Sequence, residues 1–213
     1  MQNQLLAPCS SVAGDIRVDV RDPRAPRVLG RRITGLVRTA GANLDAVVVL
    51  CIGTDRSTGD AFGPLVGSRL VSRGLPGAVV RGTVERPVHA GNLASTLVDV
   101  HSMYRRSFVI AVDASLGPPE TVGTVTVGPG PLRPGAGVHK ALPIVGNAHA
   151  TGVVNAGGFM EYFVLQNTRL RLVMAMANLV ADALWLALAA GPATPASWVA
   201  SVQPPDGVVL ARG

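Results

Sequence analysis

A chain of 213 residues that is 48% hydrophobic and 15% charged has the length and composition of one packed domain rather than of a wholly disordered chain. Its formal charge of +6 arises from 19 basic and 13 acidic residues, and every basic residue except Lys140 is an arginine. Asp15, Asp19 and Asp22 lie in or beside the basic stretch 17–38, and no zinc-finger or RNA-binding signature is present, so no nucleic-acid partner is expected.

In chain order, residues 1–27 read as loosely ordered, because Asp22-Pro23 and Ala25-Pro26 interrupt any regular element. Val28 to Ala40 places Leu29, Ile33, Leu36 and Val37 at helical spacing, and Gly41 suits its end. The run from Ala46 to Ile52 is apolar without alternation, which predicts a strand buried on both faces. A helix over 61–73, a strand over 78–84, a helix from the cap Asn92 to about Tyr104 and a strand over 107–112 ending at Asp113 follow. Strand–helix–strand–helix–strand is the pattern of a parallel sheet with helices on both faces.

The second half is less regular. Thr121 to Val127 and Thr151 to Val154 read as short strands around a Gly/Pro loop at 128–137, and 159–166 and 170–190 read as helices. The apolar run 172–190 holds Asn178 and Asp182, which favours a buried or half-buried helix over a membrane span. The expected division is an extension with a short helix at 1–44, one domain at 45–190 and a tail at 191–213. Cys9 and Cys51 make no disulfide framework, and the N-terminus has no charged start before an apolar core. Both features fit a cytoplasmic protein.

Chemistry is expected where strands end. Asp55 and Asp60 lie in the loop after the first predicted strand, and Asp113 lies at the tip of the third. If those strands are neighbours, Asp60 and Asp113 meet in one cleft, where paired carboxylates share a proton or flank a metal. Each also has an ordinary role open to it: Asp60 as a helix cap, Asp113 as a turn residue. His149, among small residues beside a predicted strand, suits a proton carrier, a ligand or a structural histidine. His139-Lys140 in the glycine loop could meet an anionic group or simply face solvent. His89 and His101 have no ligand spacing. Thr54, Ser57 and Thr58 belong to the acid loop, where hydroxyls commonly bond to nearby backbone. No phosphate loop, dinucleotide fingerprint, Cys-x-x-Cys or Gly-x-Ser-x-Gly elbow occurs.

These residues carry a resemblance. Cys-Ile-Gly-Thr-Asp-Arg-Ser-Thr-Gly-Asp-Ala-Phe-Gly-Pro-Leu-Val-Gly (51–67), Pro-Val-His-Ala (87–90), Val-Asp-Ala-Ser-Leu-Gly (112–117), Arg-Pro-Gly-Ala-Gly-Val-His-Lys (133–140) and the run 154–170 from Val-Asn-Ala-Gly-Gly-Phe resemble the sporulation protein YyaC family. That family is similar to the spore germination protease and the hydrogenase maturation proteases. The resemblance spans about 46–188.

It implies a three-layer α/β/α sandwich with a mostly parallel sheet, of phosphorylase/hydrolase-like type. The acids of the germination protease fall on Asp60 and Asp113. In the hydrogenase maturation proteases, acids at about the same places act with a histidine that recognises nickel. Here that histidine's position is Asn155, a poor substitute for imidazole at a soft metal, so the pattern is closer to the germination protease.

The reading that follows is a peptidase of the sporulating cell or spore. Asp60 and Asp113 are its catalytic pair, and Asp55, Asn155, His149, Thr54, Ser57 and His139 shape the site. Asn155 is expected to donate a hydrogen bond to the developing oxyanion. The alternatives are a non-catalytic binding protein, or metal-assisted hydrolysis with Asp60, Asp113 and His149 as ligands. A protein or peptide substrate, no cofactor, no membrane partner and room for a homodimer complete the expectations.

Overall fold

The computed structural model describes residues 14–41, 46–135, 142–158 and 160–189. Six strands, β1 (Ile16–Asp19), β2 (Ala46–Cys51), β3 (Val79–Arg81), β4 (Ser107–Gly117), β5 (Thr124–Pro129) and β6 (Ala148–Ala156), form one sheet. Their order is β1-β5-β6-β4-β2-β3. The pairs β3–β2, β2–β4 and β4–β6 are parallel, and β5 runs antiparallel to both β6 and β1, so β5 alone opposes the other strands.

β2 explains its own position. All six of its residues are buried, and only a central strand between two covered faces can hide Ala-Val-Val-Val-Leu-Cys. Val47, Val49 and Cys51 join one core with helices α1 (Ala25–Thr39), α2 (Phe62–Ser72) and α5 (Leu170–Leu188). Val48 and Leu50 join a second core with Leu93 and Val100 of α3 (Leu93–Met103) on the opposite face. The result is three layers, α/β/α. A short helix, α4 (Glu161–Gln166), sits between β6 and α5. α5 is long and apolar enough to span a membrane by composition, and half of that window is buried within the fold.

Several expectations change. Residues 16–19 form β1, paired with β5, and α1 begins at Ala25 rather than Val28. Pro26 falls in the first helical turn, where a missing N–H costs nothing, so it does not break the element. Leu29, Ile33, Leu36 and Val37 are buried in the main core, and the stretch expected as an extension therefore belongs to the domain. β4 continues four residues past Asp113, and β6 runs well beyond 151–154 on both sides. The expected tail at 191–213 lies outside the described residues.

Candidate active site

The loop from Gly53 to Ala61 leaves β2 at its carboxyl end and is tied down by backbone bonds. Gly53 N–H donates to Val88 O (2.8 Å), Thr54 N–H to Asp60 O (3.2 Å), Gly59 N–H to Leu165 O (2.9 Å) and Ala61 N–H to Ser57 O (2.9 Å). Gly53 has φ 141°, and a side chain there would run into the Asp60 carbonyl and Pro64. Phe62 is fully buried and fixes the start of α2 one residue after Ala61. Asp60 is thus held from both sides, half-exposed at the surface.

Asp113 reaches the same place from β4. The β2–β4 register ends at Cys51↔Val112, so Asp113 is the first β4 residue beyond the tip of β2, opposite Thr151 of β6. It is only 7% exposed, and one carboxyl oxygen accepts the Ala114 N–H at 2.9 Å. Burial pushes its pKa well above the ordinary carboxylate value, and the negative charge of Asp60 pushes the same way, against the opposing bond from Ala114. The two acids therefore interact, and both effects favour the protonated form of Asp113.

Clefts open on both sides of Asp60. One, of ≈ 370 Å³, includes Thr54, Asp55, Arg56, Ser57 and His89 in its walls. The other, of ≈ 470 Å³, includes Ser115, Leu116, Arg133 and Thr151. Asp60 and Leu165 belong to both walls, so the acid stands between the two clefts.

The remaining expected residues fall in different places. Asp55 is exposed at the rim, and Thr54 Oγ1 donates to it at 3.4 Å. Ser57 is 7% exposed, and its hydroxyl has no hydrogen-bond partner among the described residues, so the backbone bond expected of it is not made. Asn155 lies beneath the acid loop: its amide donates to Val164 O and Thr168 Oγ1, both at 3.2 Å, and its oxygen accepts the Ala156 N–H. With both amide hydrogens spent, Asn155 braces the support of Gly59 and has none left for an oxyanion.

His149 faces the β5 side. Its Nδ1 lies 3.1 Å from Gly130 O and its Nε2 3.7 Å from Asp15 Oδ1. It does not join the acids, and among the described residues no three His, Cys, Asp or Glu side chains are gathered as a metal would need. His139 lies outside the described residues. Cys51 is a free, buried thiol whose pKa burial raises, consistent with packing rather than reactivity.

His89 has no ligand spacing in the sequence, yet it stands in the cleft with Asp60. Its signal was the Pro-Val-His-Ala motif, but its location depends on a bridge between Val88 and Ile52 that no local pattern reveals. Asn92, expected as a helix cap, makes no cap bond and instead holds this segment through His89 N–H and Pro87 O.

Fold and site define a three-layer α/β/α protein with two interacting carboxyls, Asp60 in the loop after β2 and Asp113 within the adjacent parallel strand β4, one residue beyond the tip of β2. A family described as "Protein of unknown function (DUF1256)" matches residues 18–183, and the chain belongs to that family. The chain is 57% identical over 140 residues to the "Uncharacterized protein YyaC" of Bacillus subtilis, covering 66% of this chain and 68% of YyaC. Among solved structures, the [NiFe] hydrogenase maturation protease HycI from Thermococcus kodakarensis is 17% identical, with 70% of this chain and 98% of HycI covered at a TM-score of 0.40. At that score no chemistry carries across.

Proposed function

We propose that this protein is a two-aspartate peptidase that hydrolyses a peptide bond of a protein made during sporulation, within the sporulating cell or spore. The observation that carries the chemistry is the buried Asp113 carboxyl, whose proton is favoured by burial and by the charge of Asp60, with Asp60 itself standing in the walls of two clefts. The sporulation setting rests on the family resemblance of the motifs at 51–67, 112–117 and 154–170.

The half-exposed Asp60 acts as general base. It takes a proton from a water whose oxygen forms the new bond to the scissile carbonyl carbon. Asp113 gives its proton to the departing amide nitrogen as the C–N bond breaks. One carboxylic acid and one amine leave, and transfer of the proton from Asp60 to Asp113 resets the pair. The arrangement separates the roles of two like residues by environment: burial favours the proton on Asp113, and the less buried Asp60 is left as the base.

The test is incubation with a peptide library prepared from a sporulating bacterial proteome, read by mass spectrometry for new termini. The wild-type protein is expected to cut a defined subset. Asp60→Asn and Asp113→Asn, both folded, are expected to lower kcat/KM by about 10³-fold or more. Cleavage that survives in either variant, or no cleavage by the wild-type protein, contradicts the proposal; the latter outcome favours a binding role.

A further inference from the structure

We infer that His89 is the substrate-polarising donor of the Asp60 cleft: its Nε2–H takes the scissile carbonyl oxygen and holds the oxyanion that forms there. This rests on the peptidase reading and fills the place that Asn155 does not take, since both Asn155 amide hydrogens are bonded within the fold.

The geometry is that of a side chain fixed in advance. Gly53 N–H donates to Val88 O and Ile52 bridges Val88, so the Pro87-Val88-His89 segment is docked against the tip of β2. Asn92 accepts the His89 N–H at 2.8 Å and donates to Pro87 O at 3.0 Å. The imidazole is held as well, because Gly91 N–H donates to His89 Nδ1 at 3.1 Å. A ring nitrogen that accepts an N–H carries no proton of its own, so in the neutral ring the proton is on Nε2. An exposed histidine with its segment and its tautomer both fixed is more than a surface residue needs.

The cleft supplies a second sign of a polar ligand. Ser57, more than nine-tenths buried, contributes to the same wall, and its hydroxyl has no partner among the described residues. Its carbonyl accepts Ala61 N–H, while Gly59 N–H goes to Leu165 O, so the hydroxyl is not used to cap the turn. Nothing bonded holds its χ1, and rotation toward a bound peptide would gain a bond where none exists.

Oxyanion donors act mainly in the transition state, so losing one lowers kcat more than it raises KM. The experiment uses a peptide that the wild-type protein cuts from the library. His89→Ala is expected to lower kcat about 10²-fold with KM little changed. His89→Gln, whose side-chain amide nitrogen reaches the Nε2 position, is expected to recover most of that loss. His89→Asn, with its nitrogen near the Nδ1 position, is expected to stay impaired. Nitrogen-15 spectra of the imidazole are expected to show the proton on Nε2 and to shift that nitrogen when the peptide is added to the Asp60→Asn protein. Wild-type kcat in His89→Ala, with Asp60→Asn inactive, overturns this inference and leaves the peptidase reading standing. Equal impairment of the Gln and Asn variants, or a proton on Nδ1, also overturns it. Failure of the wild-type protein to cut any peptide overturns both together.

Discussion

Asp113 shows most clearly how one residue's surroundings set its chemistry. A carboxyl at 7% exposure loses most of its hydration, and the nearby charge of Asp60 adds to the cost of ionising it. Its pKa is therefore raised on folding, which fixes the sign of the stability effect. Below the unfolded value of 3.8 both states hold the proton and folding loses nothing. As pH rises above that value the unfolded chain releases the proton and the folded chain keeps it, so stability falls until the folded pKa is passed. Across that window each pH unit costs about 1.4 kcal/mol. Asp113→Asn keeps an oxygen for the Ala114 N–H and cannot ionise. Thermal melts are expected to match wild type near pH 3 and to show the variant increasingly more stable toward neutral pH. A variant less stable than wild type at neutral pH would contradict this assignment. Activity, by the same logic, is expected to fall as pH rises through the pKa of Asp113, because the general acid is lost.

At the scale of elements, glycines let α2 approach the end of β2 closely enough to carry Asp60. A Cβ at Gly63 would collide with the backbone of Ile52, and one at Gly53 with the carbonyl of Asp60. Gly63→Ala is expected to push α2 outward, lower the melting temperature and reduce cleavage, since a small misplacement of a catalytic group is costly. An unchanged melting temperature together with unchanged kcat/KM would show that the close packing does not set the acid's position. The central elements were legible because β2 is continuously apolar and the helices after it have clear periodicity and stops. β1 was not, being four residues beside Asp22-Pro23 whose strand character comes from pairing with β5. β6 opens with Ala-His-Ala, residues that fit a pleated surface poorly on their own. Its place between β4 and β5 supplies the ladder that local propensity does not.

Over the whole molecule, the fold joins residues that are remote in sequence. Asp60 and Asp113 were readable as a pair because parallel β2 and β4 turned out to be neighbours, which strand–helix–strand order suggests but does not guarantee. His89 was not readable, because its position depends on a three-residue strand and a single bridge to Ile52. Asn155 was readable as a site position but not in its role, which is set by contacts with α4 and the turn before α5. Above all, the fold couples Asp60 to Asp113, so that the charge of one favours the proton on the other. Carbon-13 NMR titration of the Asp113 side-chain carboxyl, in the wild-type protein and in Asp60→Asn, tests this directly. The wild-type pKa is expected well above the ordinary carboxylate range, with a lower value in Asp60→Asn that stays raised because burial remains. An ordinary wild-type pKa, or one that does not move when the Asp60 charge is removed, would contradict it.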